Sequence, residues 1–128
     1  MINKISKITL YVNNQEEAKL FWTEKINFVV KLEQSMGSEM KWLEVGPNES
    51  QDTTFVLYDK KLMMKQNPSA NVSHPSVILS TTDIENAYNE MKTNEVEVGE
   101  LMIMPYGKMF SFKDQDGNDF LLREDREE

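Results

Sequence analysis

The sequence predicts an α+β fold of two tandem βαβββ modules, whose sheets enclose a cavity and whose helices lie on the outer faces. Two observations predict this fold. An alternating apolar strand followed by a helix start occurs twice, and each helix precedes three extended runs. A shift of 69 residues superimposes the two halves, with Leu10 falling on Leu79 and Ala18 on Ala87. Because such identities are few, the repeat is recognised mainly by the order of its elements.

The first module, about residues 1–60, begins with a strand in which apolar side chains occupy every second position. Since side chains alternate between the two faces of a sheet, one face packs into the core and the other points to the cavity. The packed side chains are Ile8, Leu10 and Val12. The side chains on the cavity face are Lys7, Thr9 and Tyr11.

A helix is predicted directly after this strand. Asn13 is placed to cap it with Glu16 three residues later, and Ala18, Phe21 and Trp22 form an inward stripe. Three extended runs complete the module, and turn-forming segments separate them. The runs are VVKLEQ, MKWLEV and TTFVLYD.

Residues 60–75 are predicted to be a linker or covering loop between the modules. The segment is polar and contains Pro68 and Pro75, which disfavour regular structure. The whole chain, residues 1–128, is expected to form one domain, because its length lies in the usual range for a single domain.

The second module, about residues 76–124, repeats the pattern of the first. SVILSTT predicts a strand, and DIENAYNEMK predicts a helix with helical spacing of its apolar residues. Thr82 and Glu85 have the spacing of a capping box at the start of this helix. Three extended runs follow, namely EVGELMIM, KMFSFKD and DFLLRE.

The segment DQDGN joins the last two runs and contains alternating carboxylates. Its glycine does not stand where a calcium-binding loop of the EF-hand type requires one, and no glutamate follows at the twelfth position. We therefore predict a hairpin turn assisted by Gly117 and no calcium site.

Composition excludes several classes of function. The chain has no cysteine, so it has neither a disulfide nor a thiolate nucleophile. The net charge is -8 with scattered basic residues, which argues against nucleic acid as a partner. No stretch is long and apolar enough for a membrane span, and MINKISKITLYV lacks the features of a signal peptide. We expect a cytoplasmic protein.

Two segments carry a family resemblance. ITLYVNNQEEAKLFW and PYGKMFSFKDQDGNDFLLRE, together with the order of the elements, resemble the vicinal oxygen chelate superfamily of glyoxalases, bleomycin resistance proteins and extradiol dioxygenases. The resemblance spans nearly the whole chain and implies the paired βαβββ fold. It does not specify a reaction.

The resemblance also implies where a metal would bind. Metal-using members hold one divalent cation with four inward residues, usually His or Glu. The corresponding positions here are Lys7, Ser76, Leu121 and either Thr54 or Val56. Ammonium and alkyl groups have no lone pair to offer, and hydroxyl groups alone bind transition metals poorly. We therefore expect neither a metal nor another cofactor.

The cavity faces of both modules predict a binding site for a small molecule. Aromatic, methionine and hydroxyl side chains lie there together, which suits a flat or hydrophobic ligand with a few fixed polar groups. The candidate ligand-binding residues are Lys7, Thr9, Tyr11, Trp42, Thr54, Val56, Ser76, Ile78, Met104, Tyr106, Leu121 and Arg123. The acidic net charge favours a cationic ligand, whereas Lys7 and Arg123 favour an anionic one.

The sequence favours a metal-independent protein that binds or sequesters a small organic molecule in the cavity between the sheets, as a homodimer. An alternative is a lyase, isomerase or dioxygenase of the same superfamily with an atypical or absent metal site. In that case His74 or Tyr106 is the candidate proton carrier, although His74 also fits an ordinary loop residue. A third hypothesis is a scaffold or regulatory subunit. No catalytic residue is assigned.

Overall fold

The structure, a computed structural model, describes residues 1–125 and divides into two compact units, one ending at His74 and the other beginning at Pro75. Each unit contains one four-stranded mixed sheet. The predicted α+β class and the duplicated order of elements are therefore confirmed. Among the described residues, no helix has the length and apolar character needed to cross a membrane.

The sheet of the first unit has the strand order β1-β4-β3-β2. β1 pairs with β4 in parallel, and the other neighbours are antiparallel. The three extended runs that the sequence predicted after the first helix all form strands. The strands are β1 (Lys7–Val12), β2 (Val29–Ser35), β3 (Lys41–Gly46) and β4 (Thr54–Asp59).

Helix α1 (Gln15–Leu20) continues into a π-helical turn (Phe21–Lys25) and covers one face of this sheet. The predicted inward stripe is confirmed, since Ala18, Phe21 and Trp22 are buried. The indole of Trp22 packs edge-on against Phe55 of β4, with 5.2 Å between ring centroids. The core of the first unit therefore lies between α1 and the sheet.

The predicted cap of α1 is wrong by one residue. The side chain of Asn14, and not that of Asn13, accepts a hydrogen bond from the backbone N–H of Glu17 at 2.9 Å. The first backbone hydrogen bond of the helix runs from Ala18 N–H to the carbonyl of Asn14. Asn14 is therefore the N-cap residue of α1.

The stretch that the sequence assigned to a linker begins with a helix, α2 (Lys60–Gln66). Asp59 caps it by accepting from the backbone N–H of Leu62 at 3.0 Å. None of its residues is buried, so the segment lacks the stripe of apolar side chains from which a helix is predicted in a sequence. Residues 67–77 form no helix or strand.

The sheet of the second unit has the order β5-β8-β7-β6, with β5 and β8 parallel. Its strands are β5 (Ile78–Ser80), β6 (Met102–Met104), β7 (Gly107–Lys113) and β8 (Asp119–Asp125). The predicted run EVGELMIM forms a strand only at its end, and Val98 makes an isolated bridge to Phe112.

Helix α3 (Ile84–Thr93) covers one face of the second sheet. Tyr88 packs edge-on against Phe110, with 4.9 Å between ring centroids. Phe120 and Leu122 are buried on the same side of the sheet, since Leu122 pairs in register with Phe110. The predicted Thr82 cap is wrong, because Asp83 accepts from the backbone N–H of Asn86 at 3.2 Å.

The turn between β7 and β8 is organised by Asp114, which is buried. Its Oδ1 accepts backbone N–H bonds from Asp116 and Asn118, each at 2.9 Å. Gly117 has a φ of +79°, which favours glycine. The glycine-assisted turn is confirmed. Burial raises the pKa of the Asp114 carboxyl, and the two backbone hydrogen bonds oppose that rise.

Candidate functional site

The face of the first sheet opposite α1, here called the unit 1 face, collects six of the predicted site residues. Lys7 pairs in register with Thr54, Thr9 with Val56, and Tyr11 with Tyr58. β3 adds Trp42 and Glu44 to the same face, because Glu44 lies directly opposite Val56. The structure therefore brings Lys7, Thr9, Tyr11, Trp42, Thr54 and Val56 together on one surface.

Glu44 is the central polar group of the unit 1 face, and sequence reasoning missed it. The residue is only 4% exposed. Its Oε1 accepts from Lys7 Nζ at 2.8 Å and from Thr54 Oγ1 at 2.8 Å, while its Oε2 accepts from Trp42 Nε1 at 2.7 Å. Both carboxylate oxygens are thus held by side chains that share the face.

Burial and these hydrogen bonds shift the pKa of Glu44 in opposite directions. Burial alone raises the pKa of the carboxyl, since it disfavours the charged form. The hydrogen bonds from Lys7, Trp42 and Thr54 outweigh burial and hold the pKa below its ordinary value. Glu44 is therefore a carboxylate at neutral pH, paired with the ammonium of Lys7.

Three aromatic rings lie next to this cluster. Tyr11 and Tyr58 meet edge to face with 5.9 Å between centroids, and Trp42 and Tyr58 are perpendicular at 6.3 Å. The Tyr58 hydroxyl donates to Gln66 Oε1 at 2.6 Å, which connects the rings to the end of α2. The unit 1 face thus combines a buried carboxylate, paired with a partly exposed ammonium, with aromatic surface.

The second sheet has an equivalent face opposite α3, here called the unit 2 face. Ile78 pairs in register with Leu121, and Ser80 with Arg123. The guanidinium carbon of Arg123 lies 5.3 Å from the centroid of the Tyr106 ring, a cation–π contact. Met104 belongs to β6 at the edge of this sheet, and Ser76 precedes β5 and is exposed.

The strand registers resolve an ambiguity left by the sequence. Thr9 pairs with Val56 in the first unit, and Ile78, which is 69 residues after Thr9, pairs with Leu121 in the second. Val56, rather than Thr54, is therefore the structural counterpart of Leu121. Glu44 stands beside this position on the neighbouring strand.

The residues at the family's metal positions do not fit a metal ion. Val56 and Leu121 offer no donor atom, and the ammonium of Lys7 is bound to Glu44. Within residues 1–125, no three His, Cys, Asp or Glu side chains come together as a metal site would require. His74 is half-buried in the irregular segment at the end of the first unit.

Comparison with known proteins agrees with the fold. The family model described as Glyoxalase/Bleomycin resistance protein/Dioxygenase superfamily matches residues 4–122. The uncharacterized protein YetH of Bacillus subtilis (strain 168) is 41% identical over 125 residues, which is 97% of this chain and 100% of YetH. The uncharacterized protein YurT of the same organism is 26% identical over 115 residues, 78% of this chain and 87% of YurT.

Solved structures show the same architecture. TnmS3, an antibiotic binding protein from Streptomyces sp. CB03234, has a TM-score of 0.81 and 26% identity, with 98% of each chain covered. A superfamily member from Sphaerobacter thermophilus DSM 20745 has a TM-score of 0.80 and 24% identity, over 97% of this chain and 98% of that one. The family resemblance seen in the sequence is thereby confirmed, and the chain belongs to the Glyoxalase/Bleomycin resistance protein/Dioxygenase superfamily.

Proposed function

We propose that this protein binds a small organic molecule, without a metal ion, on the sheet faces opposite its helices. The observation that carries the proposal is the unit 1 face, where the buried carboxylate of Glu44, paired with the partly exposed ammonium of Lys7, lies beside the rings of Tyr11, Tyr58 and Trp42. Binding sites for small molecules typically combine apolar or aromatic surface with a few fixed polar groups. The antibiotic binding protein TnmS3, similar over 98% of this chain, supports the same class of function.

The donor groups at the family's ligand positions support metal independence. A divalent cation near Lys7 would have to compete with an ammonium that is already 2.8 Å from the carboxylate of Glu44. Alkyl side chains at Val56 and Leu121 provide nothing to complete a coordination shell. We therefore assign to this face the binding of a ligand and no metal-dependent lyase or dioxygenase reaction.

A thermal-shift screen of planar aromatic antibiotics and related ring systems tests the proposal. We expect the melting temperature to rise with ligand concentration, because a ligand that binds only the folded state stabilises it. The shift should persist after EDTA treatment. Elemental analysis showing one metal ion per chain, together with loss of binding after EDTA, would contradict metal independence and favour the enzyme alternative.

Assembly and location complete the proposal. We expect a homodimer in the cytoplasm. Light scattering coupled to size-exclusion chromatography measures the mass directly, and a mass of 14.9 kDa at micromolar concentration would contradict the dimer. Fractionation of the source cells tests the location.

A further inference from the structure

We propose that Glu44 is a positioning residue that fixes the Trp42 indole and the Lys7 ammonium on the unit 1 face, so that this face selects planar aromatic ligands without negative charge. This inference rests on the proposed function, which it deepens by naming the class of ligand. Two consequences of the geometry support it: one concerns the ring, and the other concerns the charge.

The ring is fixed by its single donor. An indole has only one N–H, and that of Trp42 donates to Glu44 Oε2 at 2.7 Å. Rotation of the ring about its side-chain bonds would break this bond, while the perpendicular contact with Tyr58 restricts the same motion. A ring held in one orientation offers a ligand a stacking surface without the entropy cost of ordering it first.

The charge of Lys7 is already compensated. The side chain of Glu44 is 6% exposed, whereas that of Lys7 is 44% exposed, so the ammonium lies at the edge of the cluster and the carboxylate lies inside it. The buried carboxylate needs a cation nearby, and Lys7 meets that need. The pair is neutral as a whole, and the remaining ammonium hydrogens can still donate to an uncharged oxygen.

An anionic ligand would meet a penalty at this place. A negative group bound to Lys7 would lie close to the carboxylate of Glu44, which is 2.8 Å from the same nitrogen. Like charges brought together at low dielectric disfavour binding. The sequence left cationic and anionic ligands open, and the Lys7–Glu44 pair removes the reason for expecting an anion on the unit 1 face.

The positioning claim is tested without any ligand, by the fluorescence of Trp42. The chain has two tryptophans, Trp22 and Trp42, so a Trp42→Phe variant identifies the contribution of each to the emission. Glu44→Leu introduces an apolar side chain of similar size and removes the acceptor. We expect its Trp42 emission to shift and its quenching by acrylamide to increase. Glu85→Gln, which alters the carboxylate paired with Lys108 in the second unit, is the matched control and should leave both unchanged.

The selection claim is tested by binding two matched probes, naphthamide and naphthoate, to the wild type and to Glu44→Gln. For the wild type we expect naphthamide to bind at least about tenfold more tightly, the effect of one unfavourable charge contact. The Gln variant should lose this preference, because Lys7 is then uncompensated. The change should depend on salt.

Each result decides a different claim. Unchanged Trp42 emission and quenching in Glu44→Leu would overturn the positioning role, whatever the ligands do. Equal binding of the two probes to the wild type would overturn the selection while leaving the proposed function intact. If neither probe binds while other small molecules stabilise the protein, the assignment of planar aromatic ligands is wrong. If no small molecule stabilises it, the proposed function itself fails.

Discussion

Lys7 and Glu44 form a salt bridge across the intervening strand β4, with 2.8 Å between Nζ and Oε1. Thr54 of β4 lies between them and donates to the same carboxylate oxygen. The pair joins the edge strand of the sheet to its interior, and only one of its two charges reaches solvent. Stability, pH dependence and ligand preference should all respond to its removal.

Replacing Lys7 by Met should lower the free energy of unfolding by about 1–3 kcal/mol, because it leaves the Glu44 carboxylate buried without its cation. Chemical denaturation measures the change, and Lys4→Met in the exposed N-terminal segment is the control for loss of a positive charge. The double variant with Glu44→Leu should recover part of the loss. A double variant less stable than Lys7→Met alone would contradict the coupling.

The pKa of Glu44 is lower in the folded protein than its ordinary value of 4.5, so this carboxyl stabilises the fold above that pH. Its contribution is lost as the pH falls through the folded pKa. We therefore expect the unfolding free energy of the wild type to decrease more steeply below pH about 5 than that of Glu44→Gln. Denaturation curves recorded from neutral pH downward test this. Parallel profiles for the two proteins would refute it.

The ionised carboxyl of Asp114 should lower the free energy of unfolding, whereas that of Glu44 raises it. Its pKa is raised above 3.8 by burial, so the charged form costs stability at neutral pH. Asp114→Asn keeps an oxygen acceptor for the two backbone N–H groups and should be as stable as the wild type or more so at pH 7. Asp114→Ala loses the acceptor and should cost about 1–3 kcal/mol. Asp52→Ala on the exposed loop is the control in thermal denaturation.

Substitution of the two tryptophans should affect different properties, namely ligand affinity for Trp42 and stability for Trp22. Trp42→Phe should weaken a planar ligand by about tenfold through loss of stacking surface, with little change in melting temperature. Trp22→Phe, which alters a fully buried core ring, should lower the melting temperature and leave the affinity of the folded protein unchanged. Titration calorimetry and thermal denaturation measure the two quantities. The reverse pattern would show that the unit 1 face is not the binding surface.

Local patterns predicted most of the fold. The alternation in β1 and the apolar stripe of α1 are encoded within a few residues, and both formed as expected. The helix caps were misplaced by one residue, because Asn13 and Asn14 have similar capping chemistry and only the backbone bonds distinguish them. Helix α2 was missed since it buries no side chain.

The candidate site was predicted less completely. The shared face of Lys7, Thr9 and Tyr11 follows from strand parity, but the choice between Thr54 and Val56 depends on pairing between distant strands. Glu44 was missed for the same reason, since its three donors come from positions 7, 42 and 54. A local signal did exist: a glutamate two residues after Trp42, between Leu43 and Val45, is an unusual charge in an otherwise apolar strand.

The parallel pairing of β1 with β4 also limits how early β1 can pair during synthesis of the chain. β2, β3 and β4 are sequential neighbours that can pair as soon as they leave the ribosome, whereas Lys7 must wait for Thr54, which is made much later. β1 therefore cannot join its sheet before β4 has been made. The ion pair of Lys7 and Glu44 should appear only at that step, so acquisition of the Trp42 environment would report completion of the first unit during refolding.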